Sequence, residues 1–146
     1  MSEDAGAAPF PYVLDVSVLT AIARADVGVT GLILGLDAKG RPILVPALAV
    51  AAASLDARSA DADKALRGLE KLEGVTVEPL EGIRQAVRLA AIISRTDLDP
   101  WDAHVALVAD AKVCPILTLD GAKWREHSAD LDERLHFVEI ADPDNS

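Results

Sequence analysis

Three aspartates in this chain stand where oxygen ligands could meet. Asp15 closes the apolar run Tyr12-Val13-Leu14, and Asp120 closes Pro115-Ile-Leu-Thr-Leu119. Asp102 falls in the first turn of a helix opened by Asp99 and Pro100. Carboxylates brought close together raise one another's pKa, so a cluster of them calls for a compensating positive charge. A hard divalent cation such as Mg²⁺ or Mn²⁺ prefers oxygen ligands and could supply that charge. A cation held in this way can turn water into a nucleophile and brace a phosphodiester during attack. Each residue alone also fits a plainer role. Asp15 directly precedes a helix and could cap it. Asp99 and Asp102 have the spacing of a capping box. Asp120 before Gly121 suits a turn.

The elements that must position these residues alternate along the chain. Five short runs rich in strand formers are expected: PYVLD, RPILVP, VTVEPL, CPILTLD and HFVEI. Between them the apolar spacing changes to that of helices. Those stretches are VSVLTAIARAD, VTGLILGLDAKG, ALAVAAASLDARS, ADADKALRGLEKLEG, EGIRQAVRLAAIISRTD, DPWDAHVALVADAK and a short GAKWREHSADLDERL. In EGIRQAVRLAAIISRTD, the residues Ile83, Ala86, Val87, Ala90 and Ile93 form the expected inner face. Gly31 and Gly35, one turn apart, could allow close helix packing or be simply tolerated. The alternation predicts an α/β sandwich with a mainly parallel sheet and helices on both faces. In such sheets the functional crevice lies beyond the carboxyl ends of the strands. If the first and fourth strands are neighbours, Asp15, Asp102 and Asp120 converge there.

The length of 146 residues suits one domain with one core. Aromatic residues make up only 3% of the chain, so Ala, Val, Leu and Ile must build that core. Residues 1–8 and 142–146 are expected to be flexible ends around a single domain spanning 9–141. A net charge of −10 argues against a broad cationic surface for nucleic acid, although 14 Lys and Arg could still form a local groove. Cys114 is the only cysteine, which rules out an intrachain disulfide, and it reads as a small buried hydrophobe. The N-terminus lacks a basic segment followed by an apolar run, and no apolar stretch is long enough to span a membrane. A cytoplasmic location without membrane attachment is therefore expected.

The stretches YVLDVSVLTAIA and DPWDAHVALVADAKVCPILTLDGAKW resemble the opening and closing motifs of PIN domains. The order of elements between them also matches, and the compact bacterial type, the VapC-like toxins of toxin–antitoxin pairs, is the most similar. The resemblance implies a three-layer sandwich with a mainly parallel sheet of about five strands. It also implies an Mg²⁺- or Mn²⁺-dependent ribonuclease with an RNA substrate, a homodimer, and an antitoxin partner whose tail fills the active groove. Carried over residue by residue, Asp15, Asp102 and Asp120 match three family acids that hold the metal. Ser17 and Thr118 match hydroxyl positions that support them by hydrogen bonding. A further family acid, normally a glutamate in the helix after the second strand, falls at Ala52, between Ala51 and Ala53. Asp56, one turn later on the same face, could replace it only through a shifted helix or a bridging water.

Two functions follow. One is a metal-dependent endoribonuclease with an incomplete acidic site. The alternative is a degenerate PIN-like regulatory or interaction module that binds a protein or RNA partner without cleaving. A phosphoryl-transfer fold fits less well, because the first strand is not followed by Asp-x-Asp and no P-loop glycine pattern occurs. Beside the acids, His104 is expected at the surface or in a subunit contact. Trp101 and Trp124 are expected to be partly buried or to stack on a base. Arg24, Arg41, Arg58 and Arg125 either line an RNA path or are solvated. Asp97 reads as a loop charge and Asp99 as a helix cap.

Overall fold

The computed structural model describes residues 10–129, 131 and 135–140. The two expected flexible ends lie outside the described residues. Five strands form one sheet, all neighbours parallel: β1 (Tyr12–Leu14), β2 (Ile43–Pro46), β3 (Val75–Glu78), β4 (Ile116–Thr118) and β5 (Phe137–Glu139). Their spatial order is β3-β2-β1-β4-β5. The helices are α1 (Val16–Ala23), α2 (Val27–Ala38), α3 (Ala47–Ala57), α4 (Ala60–Gly68), α5 (Gly82–Thr96), α6 (Pro100–Lys112) and α7 (Gly121–Ser128). A single 3-10 turn, Leu69–Lys71, follows α4. The architecture is the expected three-layer α/β sandwich with a five-stranded parallel sheet.

The order explains how the acids meet. The chain builds outward from β1 through β2 to β3, then returns to the other side of β1 with β4 and β5. The reversal falls between β1 and β4, and a crevice opens at the carboxyl ends of strands at such a point. Asp15 follows β1 directly, and Asp120 lies two residues beyond β4. Parallel strands buried on both faces need continuous apolar runs. Val13, Leu14, Ile43, Val45 and Ile116 accordingly lie in the core.

Helix α6 packs against α3, α5 and the strands β1, β2 and β4. Its residues from Asp102 to Ala109 form an unbroken buried run, so the helix has no solvated face over that stretch. That corrects the expectation for His104, which is fully buried rather than at the surface. Its role is local. Pro46 stands at the N-cap of α3 and offers no side-chain acceptor. The imidazole Nδ1 of His104 accepts from the Leu48 amide at 3.3 Å and takes over one of the orphan donors of that helix start. An accepting ring must be neutral. Burial pushes the His104 pKa down, against the opposing pull of the Pro79 carbonyl and the Glu78 charge. The other ring nitrogen, Nε2, is buried and meets no acceptor in good hydrogen-bond geometry.

One further expectation changes, and one open alternative is decided. The five residues expected on the inner face of α5 do not all turn inward: Ile83, Ala86, Val87 and Ala90 are exposed, while Ile93 is half-buried. Helix α5 packs through Leu89 and Thr96 instead. Periodicity identified an apolar face correctly but could not say what covers it. Gly31 and Gly35 allow no close packing within the chain, because a Cβ added at either would meet nothing within 4 Å. Cys114 is buried, as expected. No single helix among the described residues is long and apolar enough to cross a membrane.

Candidate functional site

Asp15 is completely buried and caps α1. Its Oδ1 accepts from the Ser17 hydroxyl at 2.6 Å and from the Val18 amide at 3.1 Å. Its Oδ2 accepts from the indole N–H of Trp124 at 2.9 Å. The capping role and the cluster role are therefore combined in one carboxylate, and protein donors engage both of its oxygens. Ser17 also accepts from the Leu119 amide at 2.9 Å, which ties the start of α1 to the segment after β4. Thr118 Oγ1 accepts from the Asp120 amide at 2.8 Å and lies 3.4 Å from the Ser17 hydroxyl. The two hydroxyls thus brace the backbone around Asp15 and Asp120.

Asp102 is buried in the first turn of α6, and Asp99 at the N-cap makes no side-chain capping bond. The carboxylate of Asp102 meets the Lys123 ammonium at 3.1 Å through Oδ2. Its Oδ1 is buried and has no partner. Burial raises the Asp102 pKa, the Lys123 charge and hydrogen bond oppose that rise, and the nearby charges of Asp15 and Asp99 add to it. Asp15 and Asp102 are thus close enough to repel. Asp120 is exposed and caps α7, with Oδ1 accepting from the Lys123 amide at 3.2 Å.

The element that links all three acids is the first turn of α7. Lys123 reaches Asp102, Trp124 reaches Asp15, and the Lys123 amide reaches Asp120. Trp124 is fully buried, not partly buried as expected. Gly121 lets this turn come close to β5, because a Cβ there would lie 2.5 Å from Glu139 Oε1 and 3.1 Å from the Phe137 ring. Lys123 was missed from sequence. A cap at Asp120 places residues 123 and 124 three and four positions on, the helical spacing that shares a face with the cap, and that signal was available.

The remaining candidates lie elsewhere. Ala52 is half-buried on α3 and carries no donor oxygen in its side chain. Asp56 is exposed and paired with Arg24 at 2.5 Å. Asp97 ends α5 in the left-handed region, with φ of 58°. Trp101 is half-buried. The four arginines considered for an RNA path all have partners inside the chain. Arg24 pairs with Asp56, Arg41 donates to the Phe10 carbonyl at 2.6 Å, Arg58 donates to the Leu55 carbonyl at 2.9 Å, and Arg125 lies over the Phe137 ring at 5.6 Å.

The donor set can be tested against a divalent cation. Mg²⁺ needs near-octahedral oxygen ligands, usually including one or two carboxylates that face it. Both oxygens of Asp15 already accept from the chain, one oxygen of Asp102 is held by an ammonium, and position 52 offers none. Among the described residues no group of three or more His, Cys, Asp or Glu side chains could hold a metal ion. The arrangement does not fit Mg²⁺ or Mn²⁺ without the displacement of Lys123.

No protein-family model matches the sequence, and no curated protein matches it. Solved structures do match. One is VapBC2 from Rickettsia felis, bound to a DNA fragment from its promoter, at TM-score 0.64 and 12% identity, over 90% of this chain and 99% of that one. Another is PAE2754 from Pyrobaculum aerophilum, at TM-score 0.53 and 19% identity, over 93% and 92% of the two chains. The sheet order and the likeness to these structures give the chain a PIN-type α/β fold. Its form is the compact VapC-like one.

Proposed function

We propose that this chain is a VapC-like PIN domain of the degenerate kind, which binds a protein partner and does not cleave RNA. The observation that carries this reading is the engagement of Asp15 and Asp102 by Trp124 and Lys123. The missing acid at Ala52, the net charge of −10 and the internal pairing of the arginines support it. A partner has surfaces to meet. An apolar groove of about 500 Å³ between α2 and α4 is lined by Ile22, Val27, Leu34, Ala65 and Leu72, with Gly31 leaving it open. It suits an apolar segment of an antitoxin-like or regulatory protein. The exposed apolar face of α5 suits a second copy of the chain, so the working unit is a homodimer. A cytoplasmic location belongs to this proposal.

A second reading, the Mg²⁺- or Mn²⁺-dependent endoribonuclease, is favoured by one observation: Asp102 Oδ1 is buried without a partner and could serve as a ligand. Incubation of the purified chain with mixed cellular RNA separates the two. The proposal expects the same RNA pattern with Mg²⁺, with Mn²⁺ and with excess chelator, for the wild type and for Asp102→Asn. Metal-dependent cleavage by the wild type that Asp102→Asn abolishes would overturn it.

A further inference from the structure

We propose that the Lys123 ammonium is a built-in replacement for a divalent cation, so that the fold supplies its own counter-charge to the acid cluster. The inference rests on the non-cleaving reading and deepens it. Asp15 and Asp102 are both buried, and the Asp15 charge raises the cost of ionising Asp102. Something positive must offset that repulsion. Lys123 is the cation the structure places there, with Nζ 3.1 Å from Asp102 Oδ2 and its side chain one-quarter exposed. The next residue on the same turn, Trp124, supplies an N–H to Asp15 at 2.9 Å. Consecutive residues therefore serve two acids. Asp120 holds the turn in place through the Lys123 amide.

Asp102 Oδ1 points to what happens when the ammonium is removed. The Asp102 side chain is nine-tenths buried, and Oδ1 has no partner. With Lys123 present, a divalent cation near that oxygen would face a fixed like charge. Without it, no like charge faces a cation at Asp102, which stands beside the charge of Asp15. Loss of the lysine charge is therefore expected to create a response to divalent cations that the natural chain lacks.

The test measures thermal midpoints of the full chain as wild type, Lys123→Met, Lys123→Gln and Lys123→Arg. Each is melted with manganese chloride and with sodium chloride at matched ionic strength. Lys123→Gln keeps an N–H donor for Asp102 and serves if Lys123→Met does not fold. In sodium chloride the Met and Gln variants should melt below the wild type. Mn²⁺ should raise both by several degrees, and it should leave the wild type and Lys123→Arg where they were. Neutral variants that melt with or above the wild type, or that Mn²⁺ leaves unmoved, would overturn the replacement. So would a wild-type midpoint that rises as far as theirs. None of these results depends on RNA cleavage, so a failure here is distinguishable from a failure of the non-cleaving reading.

Discussion

Replacing Trp124 with alanine is expected to destabilise the protein more than any other change near the acid cluster. Trp124 is the largest fully buried side chain and is 0% exposed. Truncation of a buried Trp to Ala costs about 3–5 kcal/mol through lost burial and the cavity left behind. Asp15 adds to this, because its fully buried Oδ2 would lose its N–H donor. A hydrogen bond to a charged group contributes about 1.5–3 kcal/mol. Trp124→Phe narrows the comparison, since it keeps a six-membered ring in the core while removing the indole N–H together with the five-membered ring. Urea denaturation should place Trp124→Phe between the wild type and Trp124→Ala. A Trp124→Phe variant as stable as the wild type would show that Asp15 does not need this donor.

The second large effect concerns association. Ile83 and Val87 stand one turn apart on α5 and are 82% and 62% exposed. Apolar faces of this kind mark protein contacts when they are contiguous, and a two-fold interface uses the same patch on both copies. Sedimentation velocity at micromolar concentration should show the wild type as a dimer. The double variant Ile83→Asp, Val87→Asp should sediment as a monomer, because it sets four carboxylates against one another across the two-fold. Its melting temperature should fall only through the loss of association, since neither side chain packs in the core of its own chain. A monomeric wild type, or a double variant that stays dimeric, would remove α5 as the self-contact.

The fold was legible in the sequence because each element carried its own local signal. Apolar runs rich in strand formers, two of them closed by Asp15 and Asp120, marked the strands, Gly40 and Gly74 marked helix ends, and Asp99-Pro100 marked the start of α6. The convergence of Asp15 and Asp120 followed once β1 and β4 were neighbours, as the sheet order makes them. Three features were not legible. The burial of His104 depends on α6 being surrounded on all sides, which the spacing within one helix does not reveal. The outward turn of α5 depends on which neighbours cover it, and its apolar periodicity would be the same for a core or for an interface. The ammonium in the acid cluster comes from Lys123, a residue type that reads as solvated unless the N-cap at Asp120 is used to set its direction.

The gap at Ala52 and the reach of Lys123 point the same way. One removes an acid from the site, and the other neutralises an acid that remains. On the proposed reading, the two leave the acids held by the chain's own donors in place of a divalent cation. The most direct measurement is a calorimetric titration of Mn²⁺ into the wild-type protein, with Asp102→Asn as the control. The wild type should give only heats of dilution, the same as the control. A saturable, one-to-one heat in the wild type that vanishes in Asp102→Asn would contradict a closed site and restore the metal-dependent nuclease.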